Sequence, residues 1–391
     1  MARACTYAWQ GESGRGEWTF DGEALLLVPD EAAPLAFAIR ECAGVAGDGT
    51  ALELAYGDQR LVLQRLGQDG PTLLDSLGRA WPPARAEALR LAGSGSPRRF
   101  QGSWDQRPCA LLLYQDVLVL APEGADLRPV FLSLLRRIDF DESTYAVRLT
   151  GWDGQAWALT RLAGQTDAFL AAARAARAAL AKEAADTAAR HLPTLSPAPR
   201  AVLSATWLPG RLVNLGELER GCPGFTAAFR DSWVQGCPRR KEAQALLQWA
   251  GTEATWAGFG RPGLGLEGPA TEEPDPETGA PGEGPAAAPD CLLWLLCRKG
   301  DAWLLETLSE PDHATYRFAG GPELPFLASQ LLCAPQFSRE ALYQPLAALT
   351  GEASGLAVAA RELAFLKELR ARFQGRAIHG GADRWRREAG L

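Results

Sequence analysis

Ile39-Arg40 … Leu63-Gln64-Arg65-Leu66-Gly67 is answered further along the chain by Leu135-Arg136 … Leu159-Thr160-Arg161-Leu162-Ala163-Gly164. In each copy an apolar–Arg pair stands 24 positions ahead of an L-x-R-L segment, and a leucine-bearing helical pattern follows. The copies lie about 96 residues apart. Short apolar runs between turn residues read as strands, and a recurrence near 3.6 reads as a helix. The chain therefore reads as a duplicated β-module closed by a helix, an arrangement that binds or scaffolds.

Working outward, the first unit (1–92) carries strand patterns at Trp18-Thr19-Phe20, Ala24 to Val28, Pro34 to Ile39, Ala51 to Tyr56 and Arg60 to Gln64. Asp21-Gly22, Asp48-Gly49 and Gly57-Asp58 stand between them and supply the positive φ that tight hairpins require. A helix is expected from about Pro71 to Trp81, stopped by Pro82-Pro83 because proline cannot donate to the helical ladder. The second unit (93–193) repeats the order. Leu118 to Pro122 matches Leu25 to Pro29 at an offset of 93, later anchors fit at 96, and the middle strand fits at 95. Its closing helix runs from Thr166 to Leu192, with Pro193 as the stop. Arg40 with Arg136, and Arg65 with Arg161, read as structural arginines pairing with acids across the sheet.

The remainder (194–391) reads as a mixed α/β domain. A strand is expected at Thr206 to Leu208, a helix from Arg239 to about Phe259, and a meander at Leu292–Cys297, Ala302–Leu308 and Ala314–Ala319. Helices are expected from Pro322, from Ser338 to Leu349 and from Leu356 to Phe373. Strands followed by a helix suggest a third, degenerate copy. Residues 262–290 hold seven acids and no base, and such a Pro/Gly-rich stretch reads as a disordered insert.

That insert accounts for the net charge of −7; the rest of the chain balances forty acids with forty bases. A neutral body gives no broad attraction for nucleic acid. The longest apolar run, Cys291 to Cys297, is far short of the roughly 20 residues that span a bilayer. With no signal-peptide core and eight scattered cysteines lacking C-x-x-C, a cytoplasmic location with reduced thiols is expected.

About seven short strands closed by one amphipathic helix, carried by Leu63–Leu66 and Leu159–Leu162 and the helices after them, resemble the pleckstrin-homology superfold. The resemblance covers residues 5–190. It implies a fold class of tandem antiparallel β-modules within an α+β protein, with Trp81 in the place of the tryptophan common in such closing helices. The lysine/arginine signature for phosphoinositides between the first two strands is absent.

No motif carries catalysis. Gly263 to Gly268 spells G-x-G-x-x-G but runs into Pro269 instead of opening a helix, as a dinucleotide site requires. His191, His313 and His379 lack metal-ligand spacing, so neither metal nor cofactor is expected. Cys222 and Cys237 precede prolines in turns. The basic clusters Arg98-Arg99, Arg136-Arg137 and Arg239-Arg240-Lys241, with Arg384, Trp385 and Arg386 in the tail, are the candidate binding residues. Arginine outnumbers lysine 36 to four throughout, so ordinary surface charge is the simpler account of them. The expectation is a non-catalytic adaptor with a protein partner. The alternatives are a peripheral protein binding anionic lipid, and an enzyme built on Glu306, Asp312 and His313.

Overall fold

The computed structural model describes residues 3–93, 95–237, 239–260, 291–308, 314–334, 339–349, 354–379 and 382–391. The chain is α+β, with antiparallel sheets of seven, seven and six strands. It divides into two compact units, Met1–Arg177 and Ala178–Leu391.

The first unit holds two modules. One comprises β1 (Arg3–Trp9), β2 (Glu12–Phe20), β3 (Ala24–Pro29), β4 (Leu35–Ala38), β5 (Gly44–Gly47), β6 (Ala51–Tyr56) and β7 (Gln59–Gln64), closed by α1 (Gly70–Ala88). The other comprises β8 (Arg98–Trp104), β9 (Arg107–Leu113), β10 (Val117–Pro122), β11 (Arg128–Phe131), β12 (Leu135–Asp141), β13 (Ala146–Gly151) and β14 (Ala156–Thr160), closed by α2 (Thr166–His191). Their strand orders are the same: β4-β3-β2-β1-β7-β6-β5 and β11-β10-β9-β8-β14-β13-β12.

The likeness extends to single hydrogen bonds. In α1 the Trp81 indole donates to the Cys42 carbonyl at 2.8 Å; in α2 the Arg177 guanidinium donates to the Leu135 carbonyl at 3.1 Å. Trp81 and Arg177 stand at the 96 offset, and Cys42 and Leu135 at the 93 offset, each immediately after a matching 3₁₀ turn. An arginine thus does in the second module what a tryptophan does in the first. Burial holds the Arg177 guanidinium below its ordinary pKa. Two turns match as well. Asp48 accepts from Thr50 and Ala51, and Asp141 accepts from Ser143. Both carboxyls are held down to about 2, chiefly by the hydroxyl of that Thr or Ser. Their contribution to stability is present above the ordinary carboxylate range and is lost as pH falls toward 2.

Three expectations are corrected here. The helix at Pro71 does not stop at Pro82-Pro83 but runs on to Ala88. Pro83 has no N–H for the Arg79 carbonyl, and Arg99 of β8 supplies one at 2.7 Å. The L-x-R-L arginines do not pair with acids. Arg65 and Arg161 lie at φ +58° and +55°, in the left-handed turn that swings each last strand into its helix. Nor do Arg40 and Arg136 correspond, since Arg40 sits in a 3₁₀ turn and Arg136 in β12, beside a register shift. Among the described residues neither pair of arginines forms an ion pair.

Sheet edges invite foreign strands, and the edge strands β5 and β12 each give one carbonyl to a neighbouring segment. The Val45 carbonyl of β5 accepts from Gly124 of the second module, and the Ile138 carbonyl of β12 accepts from Arg174 of α2. The first of these bonds also joins the two modules.

The second unit contains α3 (Pro197–Thr206), β15 (Val213–Asn214), α4 (Leu215–Gly221), α5 (Phe225–Ala228), α6 (Arg240–Ala250), β16 (Thr255–Gly260), β17 (Leu292–Lys299), β18 (Ala302–Thr307) and β19 (Ala314–Ala319). It continues with α7 (Leu324–Cys333), α8 (Glu340–Tyr343), α9 (Ser354–Glu362), α10 (Ala364–Arg372), β20 (Phe373–Ile378) and α11 (Ala382–Ala389). Its six strands lie in chain order from β15 to β20. The expected meander is β17 to β19. Thr206, however, ends a helix, and the Trp207 indole then anchors to the Ala257 carbonyl at 2.9 Å. The helix expected to reach Phe259 stops at Gly251, whose φ of +75° turns the chain into β16. The helix expected over Leu356–Phe373 breaks at Leu363, which is extended, and Phe373 opens a strand. Trp207, Phe225, Phe229, Trp233 and Phe259 form one aromatic core with mostly edge-on contacts. A π-helical turn over Phe229–Val234 brings Trp233 into it.

Candidate functional site

The expected binding arginines are distributed, and most of them make a contact within the fold. Arg98 lies over the Phe100 ring, Arg99 holds the Arg79 carbonyl, Arg136 lies over Trp152, and Arg137 pairs with Asp139 at 3.0 Å. β8 and β12 are separated in the sheet by β14 and β13, so these two clusters do not share a groove between adjacent strands. In the second unit Arg239 leads into α6, and Arg240 and Lys241 are exposed on its first turn. Cations there oppose the helix dipole, so they are not drawn there by the helix itself. Arg384 pairs with Glu388 at 2.7 Å, and Arg386 is exposed. Trp385 points inward and is 4% exposed.

What Trp385 reaches is the densest polar cluster of the second unit. Its indole donates to Thr315 Oγ1 at 2.7 Å. The Thr315 hydroxyl in turn donates to Glu306 Oε2, and His379 Nε2 lies 3.1 Å from that same oxygen and 3.2 Å from Thr315 Oγ1. Glu306 and Thr315 are wholly buried, and the His379 side chain is 2% exposed. The sheet places Glu306 on β18 and Thr315 on the adjacent β19, while His379 directly follows β20. Across the sheet, Thr255 Oγ1 and Cys297 Sγ lie 3.6 Å apart. Burial above all holds the Cys297 thiol up at about 12, against the lowering effect of the Thr255 hydrogen bond and with a smaller push from Glu306.

Carboxylate, imidazole and hydroxyl are the parts of a nucleophilic triad, but the order differs. A triad sets the carboxylate and the hydroxyl on opposite ring nitrogens, so that one side orients the imidazole and the other yields a proton to it. Here both contact Nε2, and the Thr315 proton is directed to Glu306 rather than to the imidazole. The arrangement is suited to tying three strands and a helix together: Thr315 and His379 converge on Glu306, and the indole of α11 completes the chain by donating to Thr315. Of the acid–base group expected from sequence, Glu306 belongs to this cluster, while Asp312 and His313 lie outside the described residues. The G-x-G-x-x-G at Gly263–Gly268 also lies outside them. No local pattern pointed to His379, because 73 residues separate it from Glu306. His191 stacks on Trp233 at 4.5 Å.

Among the described residues no group of three His, Cys, Asp or Glu side chains is placed to hold a metal ion, and no helix is long and apolar enough to cross a membrane. Seven of the eight cysteines are buried and Cys333 is partly so. Burial raises Cys5 and Cys42 to about 11, and Cys109 and Cys291 to about 12. Since the thiolate is the reactive form, iodoacetamide at pH 8 is expected to modify no more than Cys333 in the folded chain and all eight thiols in denaturant. Mass spectrometry of the intact protein counts the adducts, and rapid native labelling at a second cysteine would contradict the burial described.

No protein-family model matches this chain, and no curated protein matches it either.

Proposed function

We propose that the chain is a non-catalytic binding protein, an adaptor in which tandem pleckstrin-homology-like modules engage a protein partner. The observation that carries this reading is the shared strand order of the two seven-stranded sheets, each closed by a helix bonded to the same turn. Modules of this architecture present surfaces, not reacting groups, and fold by itself leaves the ligand open. Two features favour protein over lipid. Most of the candidate arginines make a contact within the fold, and those with no partner among the described residues, Arg240, Lys241 and Arg386, lie on two separate helices, α6 and α11. The Arg99 and Gly124 bonds between the modules also present a fixed surface, which lowers the ordering cost of binding.

The test is capture from an extract of the source organism, followed by titration with the purified partner. The reading expects a saturable one-to-one complex with a Kd in about the micromolar range or tighter. Recovery of lipid alone, with no protein that binds again after purification, would contradict it.

A further inference from the structure

The two modules differ on one face. In the second, Phe100 meets Phe169 of α2, so Arg99 and its cross-strand partner Leu112 point to the opposite, outer side. Leu112 pairs with Val119, and Val117 and Ala121 share that side of β10. All four apolar residues are sealed: Leu112 is 1% exposed, Val117 and Val119 0%, and Ala121 4%. On the β8–β9 side the cover is α1. Arg99 donates to its Arg79 carbonyl, and Tyr114 feels both Arg99 and Glu87 of α1.

The same outer side of the first module is open. Glu17 pairs with Val28, and Leu26 pairs with Thr19 and Ala36. Leu26 and Val28 are each 39% exposed, two of only four large apolar side chains so exposed among the described residues. The charge around this side is reversed. The covered sheet brings Arg99 toward a helix carrying Glu87, whereas the open sheet is rimmed by the exposed acids Glu17, Asp21, Glu23, Asp30 and Glu31, against the two exposed bases Arg15 and Arg40.

We propose that the outer face of β2, β3 and β4 docks an amphipathic helix with basic flanks, supplied by a protein partner. The covered face of the second module shows that a helix fits this side of the sheet, and the acidic rim selects a basic one. Leu26, Val28 and Ala36 would take the apolar stripe of the incoming helix. The proposal rests on the adaptor reading and adds to it the surface and the kind of partner.

The probe is a 20-residue Leu/Lys helix with leucine along one face, beside a control with glutamate at each lysine. Both are titrated into the full chain and into Leu26→Asp/Val28→Asp, with hydrogen exchange read over β2 to β4. The expected result is binding of the lysine peptide alone, slower exchange over residues 15–36, and at least a tenfold loss of affinity in the double variant. Equal affinity for both chains, protection elsewhere, or no binding would overturn the proposal. The variant is also mixed with the partner found by capture. If that partner binds it undiminished, this surface is wrong and the adaptor reading stands; if capture yields no protein, the adaptor reading itself fails. Circular dichroism and thermal melting confirm that the variant, altered only on an exposed face, retains its fold.

Discussion

Replacing Trp81 with alanine is expected to destabilise the first unit by about 3–5 kcal/mol, the usual cost of removing a buried tryptophan. Two losses combine. The indole is 3% exposed inside α1, and its N–H satisfies the Cys42 carbonyl at the point where the two halves of the first sheet are closed by the helix. In a unit of this size the melting temperature should fall on the order of 10 °C. Trp81→Phe keeps most of the burial and gives up the hydrogen bond, so its cost should be about 1 kcal/mol. Differential scanning calorimetry measures both. The matched experiment in the second module, Arg177→Met, keeps the aliphatic stem and removes the donor to Leu135. A clear loss there as well would show that one closure is built twice from different side chains. An unchanged melting point for Trp81→Ala would remove the closure from the account.

The second large effect is expected at Trp385→Ala, again about 3–5 kcal/mol, this time in the second unit. Removing the indole opens a space beneath α11 and takes the donor from Thr315, whose hydroxyl is committed to Glu306. The other ties of α11 are peripheral by comparison: Arg317 donates to the Glu388 carbonyl at 2.8 Å, and Ile378 donates to the Glu388 carboxylate at 3.1 Å. Hydrogen exchange should therefore show loss of protection over residues 382–391 first, with β20 following. Trp385→Phe should leave the helix docked and weaken it by about 1 kcal/mol. If the exchange of α11 is the same in Trp385→Ala and in the parent chain, the cluster does not hold the helix.

Much of the first unit was legible because its signals are local. Pro29 and Pro122 close β3 and β10 at the 93 offset, and the Asp-Gly turns fall between strands as their backbone requires. The shift from 93 to 96 is explained by the hairpins: β5 and β6 are joined by a shorter turn than β12 and β13, and a further residue enters before β14. What the sequence obscured were features settled by distant partners. Pro82-Pro83 reads as a stop until Arg99 is found to take the Arg79 carbonyl that Pro83 leaves vacant. Arg65 and Arg161 repeat because both turns need a left-handed residue, a requirement that looks on paper like a charge pattern. Ile39-Arg40 and Leu135-Arg136 matched by composition alone, in a chain rich in leucine and arginine.

The second unit was less legible for the same reason. Strand and helix patterns of the meander came through, but Thr206–Leu208 is apolar enough for either state and was decided by the aromatic core that Trp207 enters. The cluster at Glu306 joins β18, β19, the residue after β20 and a terminal helix, so no window of sequence contains it. Trp385, grouped with the surface arginines around it, is the residue that holds them to the fold.

Co-sedimentation with liposomes tests the central claim most directly, because it opposes protein binding to its main rival. Neutral and anionic vesicles are mixed with the full chain at low and at physiological salt. With most of the candidate arginines engaged within the fold and the cationic residues that remain divided between α6 and α11, the chain should stay in the supernatant with both vesicles at both salts. Sedimentation with anionic vesicles that weakens as salt rises, and that disappears in Arg384→Gln/Arg386→Gln, two exposed positions of α11, would contradict the claim and make the tail a lipid-binding element.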